Sequence, residues 1–126
     1  MKDIPRWARE RRDNTKFKRK AAFFELLKTQ VINMSIERDQ TRVIFRTGIG
    51  QIKEILNTPE DVLFTDLKKH YLSPIFSDVS NATELNISIV EECRKGRKVD
   101  GIAIEVFSEN RGCVDIINEI SAFLKN

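Results

Sequence analysis

Two runs of alternating apolar and polar residues constrain the fold of this chain most strongly. The run LNISIVEE covers residues 85 to 92, and the run VDGIAIEVF covers residues 99 to 107. A short connection at residues 93 to 98, which contains Gly96, joins them. Alternating runs joined by a short connection of this kind are typical of a β-hairpin. The sequence therefore predicts a hairpin here, and the elements before it decide which fold it belongs to.

Three segments before the hairpin have the residue spacing of helices. Residues 14 to 30, 49 to 57 and 65 to 81 each carry an apolar stripe with steps of three and four residues. Pro59 should end the second helix, because a proline forces the residue before it out of helical geometry. Pro74 lies inside the third segment, where we expect it to kink the helix or to divide it in two. The predicted apolar faces are Phe17, Ala21, Phe24, Leu27 and Val31 in the first helix, Ile49, Ile52, Ile55 and Leu56 in the second, and Phe64, Leu67, Tyr71, Ile75 and Val79 in the third.

Two further elements are expected, one between the first two helices and one at the end of the chain. Residues 31 to 46 alternate and contain β-branched residues, with ERDQT as a turn, which favours a short strand or a hairpin. Residues 113 to 124 have helical spacing and predict a closing amphipathic helix. Its apolar face either completes the core of the domain or also forms a dimer interface, and the two uses are compatible.

The order helix, strand, helix, helix, hairpin is that of a winged helix-turn-helix domain. We therefore predict an α+β fold in which residues 14–126 form a single winged-helix domain with an additional C-terminal helix. Residues 1–13 are expected to be a basic, weakly ordered arm. In this fold the third helix enters the major groove of duplex DNA, and the hairpin is the wing, whose tip lies on the phosphate backbone.

Positive charge is concentrated at the start of the chain. The whole chain of 126 residues has a formal net charge of +3, but residues 1 to 20 alone contain nine Lys or Arg against three acidic residues. The remaining residues contain 13 basic and 16 acidic side chains. Basic arms commonly bind polyanions, nucleic acid above all, and the alternative is a solvated tail.

The candidate contacts to DNA come from three places. The hairpin tip either contacts phosphates or is a solvated turn, the start of the third helix is where phosphate and base contacts cluster, and the arm reaches along the backbone or into a minor groove. The candidates are Arg94, Lys95, Arg97 and Lys98 in the hairpin, Lys68, Lys69, His70 and Ser73 in the third helix, and Arg9, Arg12, Lys16, Lys18, Arg19 and Lys20 in and after the arm.

Nothing in the sequence indicates an enzyme, a cofactor or a metal site. His70 and Tyr71 are the only residues of their types, and a metal-assisted nicking tyrosine ordinarily needs a pair of histidines. The carboxylates of Glu91, Glu92 and Glu105 are expected at the surface of the strands and turn rather than as a catalytic pair. No apolar run approaches the roughly 20 residues that cross a bilayer. Two cysteines without zinc spacing or a disulfide framework favour a reducing cytoplasm.

Four short segments, DLKKH at residues 66–70, LSP at 72–74, TE at 83–84 and GRKV at 96–99, follow one another in the second half of the chain. With this order and spacing, about half of the chain resembles the winged-helix domains of iteron-binding plasmid replication initiators. Their recurring pattern has an Asp-aromatic/Leu-Lys opening followed by basic residues, a Leu-x-Pro step, a Thr-acidic pair, a strand and Gly-Arg-Lys-Val. The family's basic and acidic residues followed by Ile-Asn after the proline are replaced here by residues 77 to 80, SDVS. The segments that carry the resemblance are Asp66-Leu67-Lys68-Lys69-His70, Leu72-Ser73-Pro74, Thr83-Glu84 and Gly96-Arg97-Lys98-Val99.

The resemblance implies non-covalent, sequence-specific binding of double-stranded DNA at a replication origin. It also implies contact with other copies of the chain, for which residues 113–124 are the candidate surface, or with host replication proteins. Two alternatives remain open: a transcriptional regulator of the same fold, and a winged-helix protein-interaction module that does not bind DNA.

Overall fold

The computed structural model describes residues 15–124 and the side chains of residues 18–122. The predicted arm at residues 1–13 lies outside the described residues. Along the described chain, helices come first, and a hairpin and a final helix follow. The elements in order are α1 (Thr15–Met34), β1 (Arg42–Gly48), α2 (Ile49–Leu56), α3 (Phe64–Leu67), a π-helical turn (Lys68–Leu72), α4 (Ser73–Ala82), β2 (Asn86–Lys95), β3 (Lys98–Phe107) and α5 (Cys113–Leu124).

The three strands form one antiparallel sheet in the order β1-β3-β2. β1 pairs with β3 only as far as Gly48 opposite Gly101. Beyond that point β2 and β3 continue alone to Lys95 opposite Lys98, so the end of the hairpin projects past the rest of the sheet. A two-residue turn closes it, with Gly96 at φ 66°, a left-handed conformation that glycine adopts without steric cost. The predicted α+β winged-helix fold, with its hairpin wing, is confirmed.

The first helix is longer than predicted. α1 continues to Met34, and a backbone and a side-chain hydrogen bond from Ser35 to the Val31 carbonyl close its end. The expected strand or hairpin at residues 31 to 46 is therefore wrong for its first part, and only β1 is extended. The reason is packing: Val31 is fully buried as the last member of the apolar stripe of α1, and helical geometry is what brings it to the core.

α3, the π-helical turn and α4 follow one another without a break through residues 64–82, and together they are called the composite helix. Pro74 does not divide this helix in two. Proline has no N–H to donate to the carbonyl of His70, and the wider π-helical turn directly precedes it. The extra residue in that turn brings Leu67 and Leu72 to the core at a step of five, where both are fully buried. A strict helical period had predicted Tyr71 in that place, and Tyr71 is only half-buried.

The core lies between the helices and one face of the sheet. Phe23, Phe24 and Leu27 of α1 are fully buried, and the ring of Phe23 contacts that of Phe76 in the composite helix, with centroids 5.4 Å apart. Each strand presents alternate side chains to the same core, for example Phe45 of β1. The sheet therefore has an inner face, which the helices cover, and an outer face. Other fully buried large side chains include Ile52, Leu56, Leu67, Leu72, Leu85, Ile102, Ile104 and Ile117.

The described apolar residues of α5 complete this core. Cys113, Ile116, Ile117 and Ile120 are all buried, and burial raises the pKa of the Cys113 thiol to about 11, so it stays protonated at neutral pH. The Cys113 amide donates to the carbonyl of Gln40 at 2.8 Å, which joins the start of α5 to the loop between α1 and β1. Among the described helices, none is long and apolar enough to cross a membrane.

Gly112→Ala should destabilise the domain, because a Cβ at this position would lie 2.5 Å from the carbonyl oxygen of Arg38 and 2.8 Å from the Cα of Asp39. We expect a loss of about 2 kcal/mol, as is typical of overpacking, and a melting temperature lower by roughly 5–10 °C. Gly50→Ala is the matched control, since a Cβ there meets nothing within 4 Å and alanine favours the helix. Thermal unfolding followed by circular dichroism measures both; equal melting temperatures for the two variants would contradict the packing described here.

Candidate nucleic-acid interface

A groove of about 500 Å³ opens where the hairpin meets the start of the composite helix. α2 and the loop of residues 57–63 form its other wall. Basic side chains from three different elements line it, so cations that are distant in sequence converge on one surface. The lining residues are the basic Lys53, Lys68, Arg94, Arg97 and Lys98, the acidic Glu60, Asp61 and Glu92, and Ile49, Val62, Leu63, Phe64, Thr65 and Val99.

A β-bulge decides which acidic side chain enters this groove. Ile89 pairs with Ile104, but Glu91 pairs with Ala103, so Val90 is an extra residue in β2. In a regular strand Glu91 would share the inner face with Ile89, because side chains alternate. The extra residue reverses the alternation beyond it. Glu91 is consequently exposed on the outer face, while its neighbour Glu92 points to the inner side.

Glu92 lies between the composite helix and the hairpin and contacts a cation of each. Its carboxylate lies 3.4 Å from Nζ of Lys68 in the composite helix and 3.4 Å from a guanidinium nitrogen of Arg94 in β2. Arg94 follows Glu92 by two residues in β2, so the two side chains lie on the same side of the hairpin. A second irregularity, at Asp100 of β3, places Arg94 opposite Val99. Lys53 is anchored separately, since its ammonium donates to the Glu60 carbonyl at 2.9 Å.

On the outer face of the sheet, the charge of Glu91 is neutralised by a basic side chain beside it. Glu91 accepts a hydrogen bond from Arg46 of β1, across the central strand β3, in which Ala103 pairs with both residues. This hydrogen bond holds the pKa of Glu91 below its ordinary value and raises that of Arg46. The thiol of Cys93 lies 3.4 Å from the same carboxylate.

The four residues predicted at the hairpin tip occupy two environments. All four are exposed, and Arg94, Arg97 and Lys98 line the groove. Arg94 is paired with Glu92, whereas Lys95, Arg97 and Lys98 surround the turn without an ion pair among the described residues. None of these three side chains makes a hydrogen bond or ion pair with the described residues; the backbone carbonyl of Arg97 accepts from Arg94 at 3.4 Å. The side chains at the tip are therefore available to a ligand.

The predicted residues of the composite helix are all exposed. Lys68 faces the groove, and Lys69 makes no ion pair with any described side chain. Nε2 of His70 lies 4.0 Å from the carboxylate of Asp66, one turn earlier. Ser73 begins α4 and is also exposed. Among the residues that the structure describes, no three His, Cys, Asp or Glu side chains are grouped to hold a metal ion.

The predicted residues in and after the arm divide into two sets. Arg9 and Arg12 lie outside the described residues, as does the side chain of Lys16, while Lys18 is exposed on α1. Arg19 and Lys20 contact the protein itself.

Arg19 and Lys20 join α1 to the helices beside it. Nε of Arg19 donates to the carbonyl of Leu56 at 3.0 Å and so caps the C-terminal end of α2. The guanidinium of Arg19 also lies 4.8 Å from the centre of the Tyr71 ring. Lys20 forms an ion pair with Asp78 of α4. These contacts indicate that both residues position the composite helix.

Two groove residues were missed by sequence analysis. Lys53 was not considered because it lies on the polar side of a short helix, and only the fold brings α2 next to the hairpin. Glu92 was expected at the surface of the strand and turn; Glu91 is there, but Glu92 lies in the groove. The signal for Glu92 was the run Val90-Glu91-Glu92, which breaks the alternation of the preceding residues.

Comparisons with known proteins agree with this architecture. Residues 49–106, from α2 to the end of the hairpin, match the family model for the initiator Rep protein, WH2. The predicted resemblance to the replication initiators is confirmed. No curated protein sequence matches the chain.

One similar solved structure is the crystal structure of the Pi initiator protein in complex with iteron DNA. The two structures superpose with a TM-score of 0.57 and 14% sequence identity, over 73% of this chain and 39% of that one. At this identity the likeness establishes the fold. The match spans well under half of the length of that initiator chain.

Arg19→Ala should destabilise the domain although Arg19 is a surface cation. The loss of its hydrogen bond to α2 and of its contact with Tyr71 should cost about 1–2 kcal/mol. Lys69→Ala is the control, since it removes a cation that touches no described acidic side chain, and it should leave stability within about 0.5 kcal/mol of the unchanged protein. Urea denaturation distinguishes them; equal midpoints for the two variants would show that Arg19 has no positioning role.

Proposed function

We propose that this chain binds duplex DNA non-covalently at a replication origin, as a winged-helix domain of the replication-initiator type. The observation that carries the proposal is the convergence of basic side chains from α2, the composite helix and the hairpin on one groove. The family match over residues 49–106 and the likeness to an initiator in complex with iteron DNA support the same function.

The composite helix is the element proposed to enter the major groove. Its exposed side chains are mostly either short and polar or basic. Such side chains suit hydrogen bonding to base edges and phosphates in the major groove of DNA, which is about 12 Å wide. The hairpin then lies along the adjacent backbone, where Lys95, Arg97 and Lys98 replace condensed counterions at the phosphates. The exposed residues of the composite helix are Thr65, Asp66, Lys68, Lys69, His70, Ser73, Pro74, Ser77 and Asn81.

The distribution of acidic residues favours DNA over a protein partner as the ligand of the groove. Residues 21 to 126 contain 13 basic and 16 acidic side chains. Many of these carboxylates form ion pairs with basic side chains far from the hairpin tip. Pairing removes much of the local repulsion toward phosphate, so the tip and the groove remain the basic region. The pairs remote from the tip are Arg111 with Glu84 and Glu119, Arg38 with Asp115, Arg42 with Glu105, and Lys20 with Asp78.

We further propose that the chain acts by binding alone, without a catalytic step. Tyr71 is half-buried beneath Arg19 and belongs to the packing between α1 and the composite helix. His70 is exposed beside Asp66, in an arrangement that orients an imidazole at a surface. Incubation with supercoiled plasmid and Mg²⁺ or Mn²⁺ should leave the plasmid uncut; nicking that disappears in Tyr71→Phe would overturn this part of the proposal.

Further elements of the proposal concern place and partners. Binding at an origin places the protein in the cytoplasm, with host replication proteins or other copies of the chain as partners. The buried face of α5 is used for the core, so a dimer through residues 113–124 would need the remaining surface of that helix. Selection from random duplex followed by mapping of the retained sequences separates the candidates: repeated sites at an origin favour an initiator, and a promoter operator favours a regulator.

The double change Arg97→Ala and Lys98→Ala should weaken binding to every duplex sequence. We expect affinity for random-sequence duplex to fall about tenfold, with the slope of log affinity against log salt reduced by about one per lost phosphate contact. Fluorescence anisotropy across a salt series measures both quantities.

The matched control for this change is Arg38→Ala with Arg42→Ala. It also removes two positive charges, but at the end of the sheet opposite the turn, where Arg42 pairs with Phe107 in the strand register. It should leave the salt slope nearly unchanged. If the hairpin double change leaves affinity and slope untouched, the wing does not contact DNA; if both double changes act equally, only the total charge matters.

A further inference from the structure

The carboxylate of Glu92 occupies a position suited to a phosphate. It lies between an ammonium group of the composite helix and a guanidinium group of the hairpin, at 3.4 Å from each. Carboxylate and phosphate oxygens are accepted by the same side chains, and Arg and Lys bind both through charge-assisted hydrogen bonds. The side chain of Glu92 is 30% exposed, so the position is open to the groove rather than sealed in the core.

Both contacts of Glu92 are loose. Charge-assisted hydrogen bonds between these groups are ordinarily 2.7–2.9 Å long, and those of Glu92 are longer. Ion pairs that are partly exposed contribute little to stability, because solvent screens them. Replacing the carboxylate with an external anion therefore costs little, while the two cations remain held close together until that anion arrives.

Glu92 reaches this position only because of the β-bulge at Val90. A regular strand would place Glu91 on the inner side and direct Glu92 to the outer face. Bulges re-aim side chains next to functional sites, at the expense of a local ladder contact. Here the bulge exposes Val90 and directs the carboxylate of Glu92, rather than that of Glu91, into the groove.

From this geometry we infer a phosphate subsite formed by Lys68 and Arg94, in which Glu92 is an internal competitor of the DNA backbone. The inference rests on the proposed function and specifies one contact of it. Lys68 and Arg94 bind a phosphate of the DNA backbone between the composite helix and the hairpin. Glu92 moves aside when this phosphate binds. Because the competition is electrostatic and independent of base sequence, Glu92 lowers affinity for all duplexes and limits binding to arbitrary DNA.

Glu92→Gln tests this inference with a change that preserves the shape of the side chain. In the full chain, affinity for random-sequence duplex should rise about fivefold, since roughly 1 kcal/mol of internal pairing no longer has to be broken. The salt slope should become steeper by at most about one, because the subsite binds a single phosphate and its cations no longer have an internal partner. Adding Lys68→Ala to Glu92→Gln should abolish most of the gain.

Glu91→Gln is the matched control for Glu92→Gln, because the bulge places these two adjacent glutamates on opposite faces of the hairpin. It removes the same charge one residue away, but on the outer face beside Arg46, and it should change affinity less than twofold. Weaker or unchanged binding by Glu92→Gln would overturn the inference, as would an equal gain in Glu91→Gln, which would indicate a general effect of net charge.

The two proposals fail in distinguishable ways. If the unchanged chain binds duplex and the double change at Arg97 and Lys98 weakens it, while Glu92→Gln has no effect, only the phosphate subsite is wrong. If neither the unchanged chain nor Glu92→Gln retains duplex at low salt, the proposed function is wrong and the subsite is wrong with it.

Discussion

The burial of one face of a small antiparallel sheet is the constraint on which the rest of the structure depends. Three strands bury alternate side chains, such as Phe45 and Ile104, only when helices cover that face. α1, the composite helix and α5 provide the cover. Since β1 ends at Gly48, the last part of the hairpin has no third strand and no full helical cover. That part of the hairpin is consequently polar, projecting and available for an external contact.

The order of elements was predictable because local patterns agree with the global fold, whereas the details that build the groove depend on irregular geometry. Alternation predicted the hairpin, and helical spacing predicted α2 and α5 nearly to the residue. The π-helical turn changed which residues of the composite helix are buried, replacing Tyr71 with Leu72. The bulge at Val90 changed which glutamate faces inward. Both irregularities add one residue to a regular period, and a search for regular periods does not detect such additions.

Charge in this domain has two roles that composition does not separate. Arg19, Lys20 and Arg111 are cations by sequence, but in the structure they join helices and loops to one another. Lys95 and Lys98 have no such contacts with the described side chains and face solvent. Sequence analysis grouped Arg19 and Lys20 with the arm because they follow it directly. Only the packing of α1 on the composite helix shows that their side chains are already engaged.

The π-helical turn has a consequence for how chains with this fold can diverge. It presents Lys68, Lys69 and His70 consecutively to solvent, while Leu67 and Leu72 on either side carry the packing. Three adjacent positions therefore escape the steric demands of the interior. Substitutions there exchange chemistry at the surface with little penalty to folding. A lineage can thus acquire a new target preference in this turn while the scaffold that supports it stays the same.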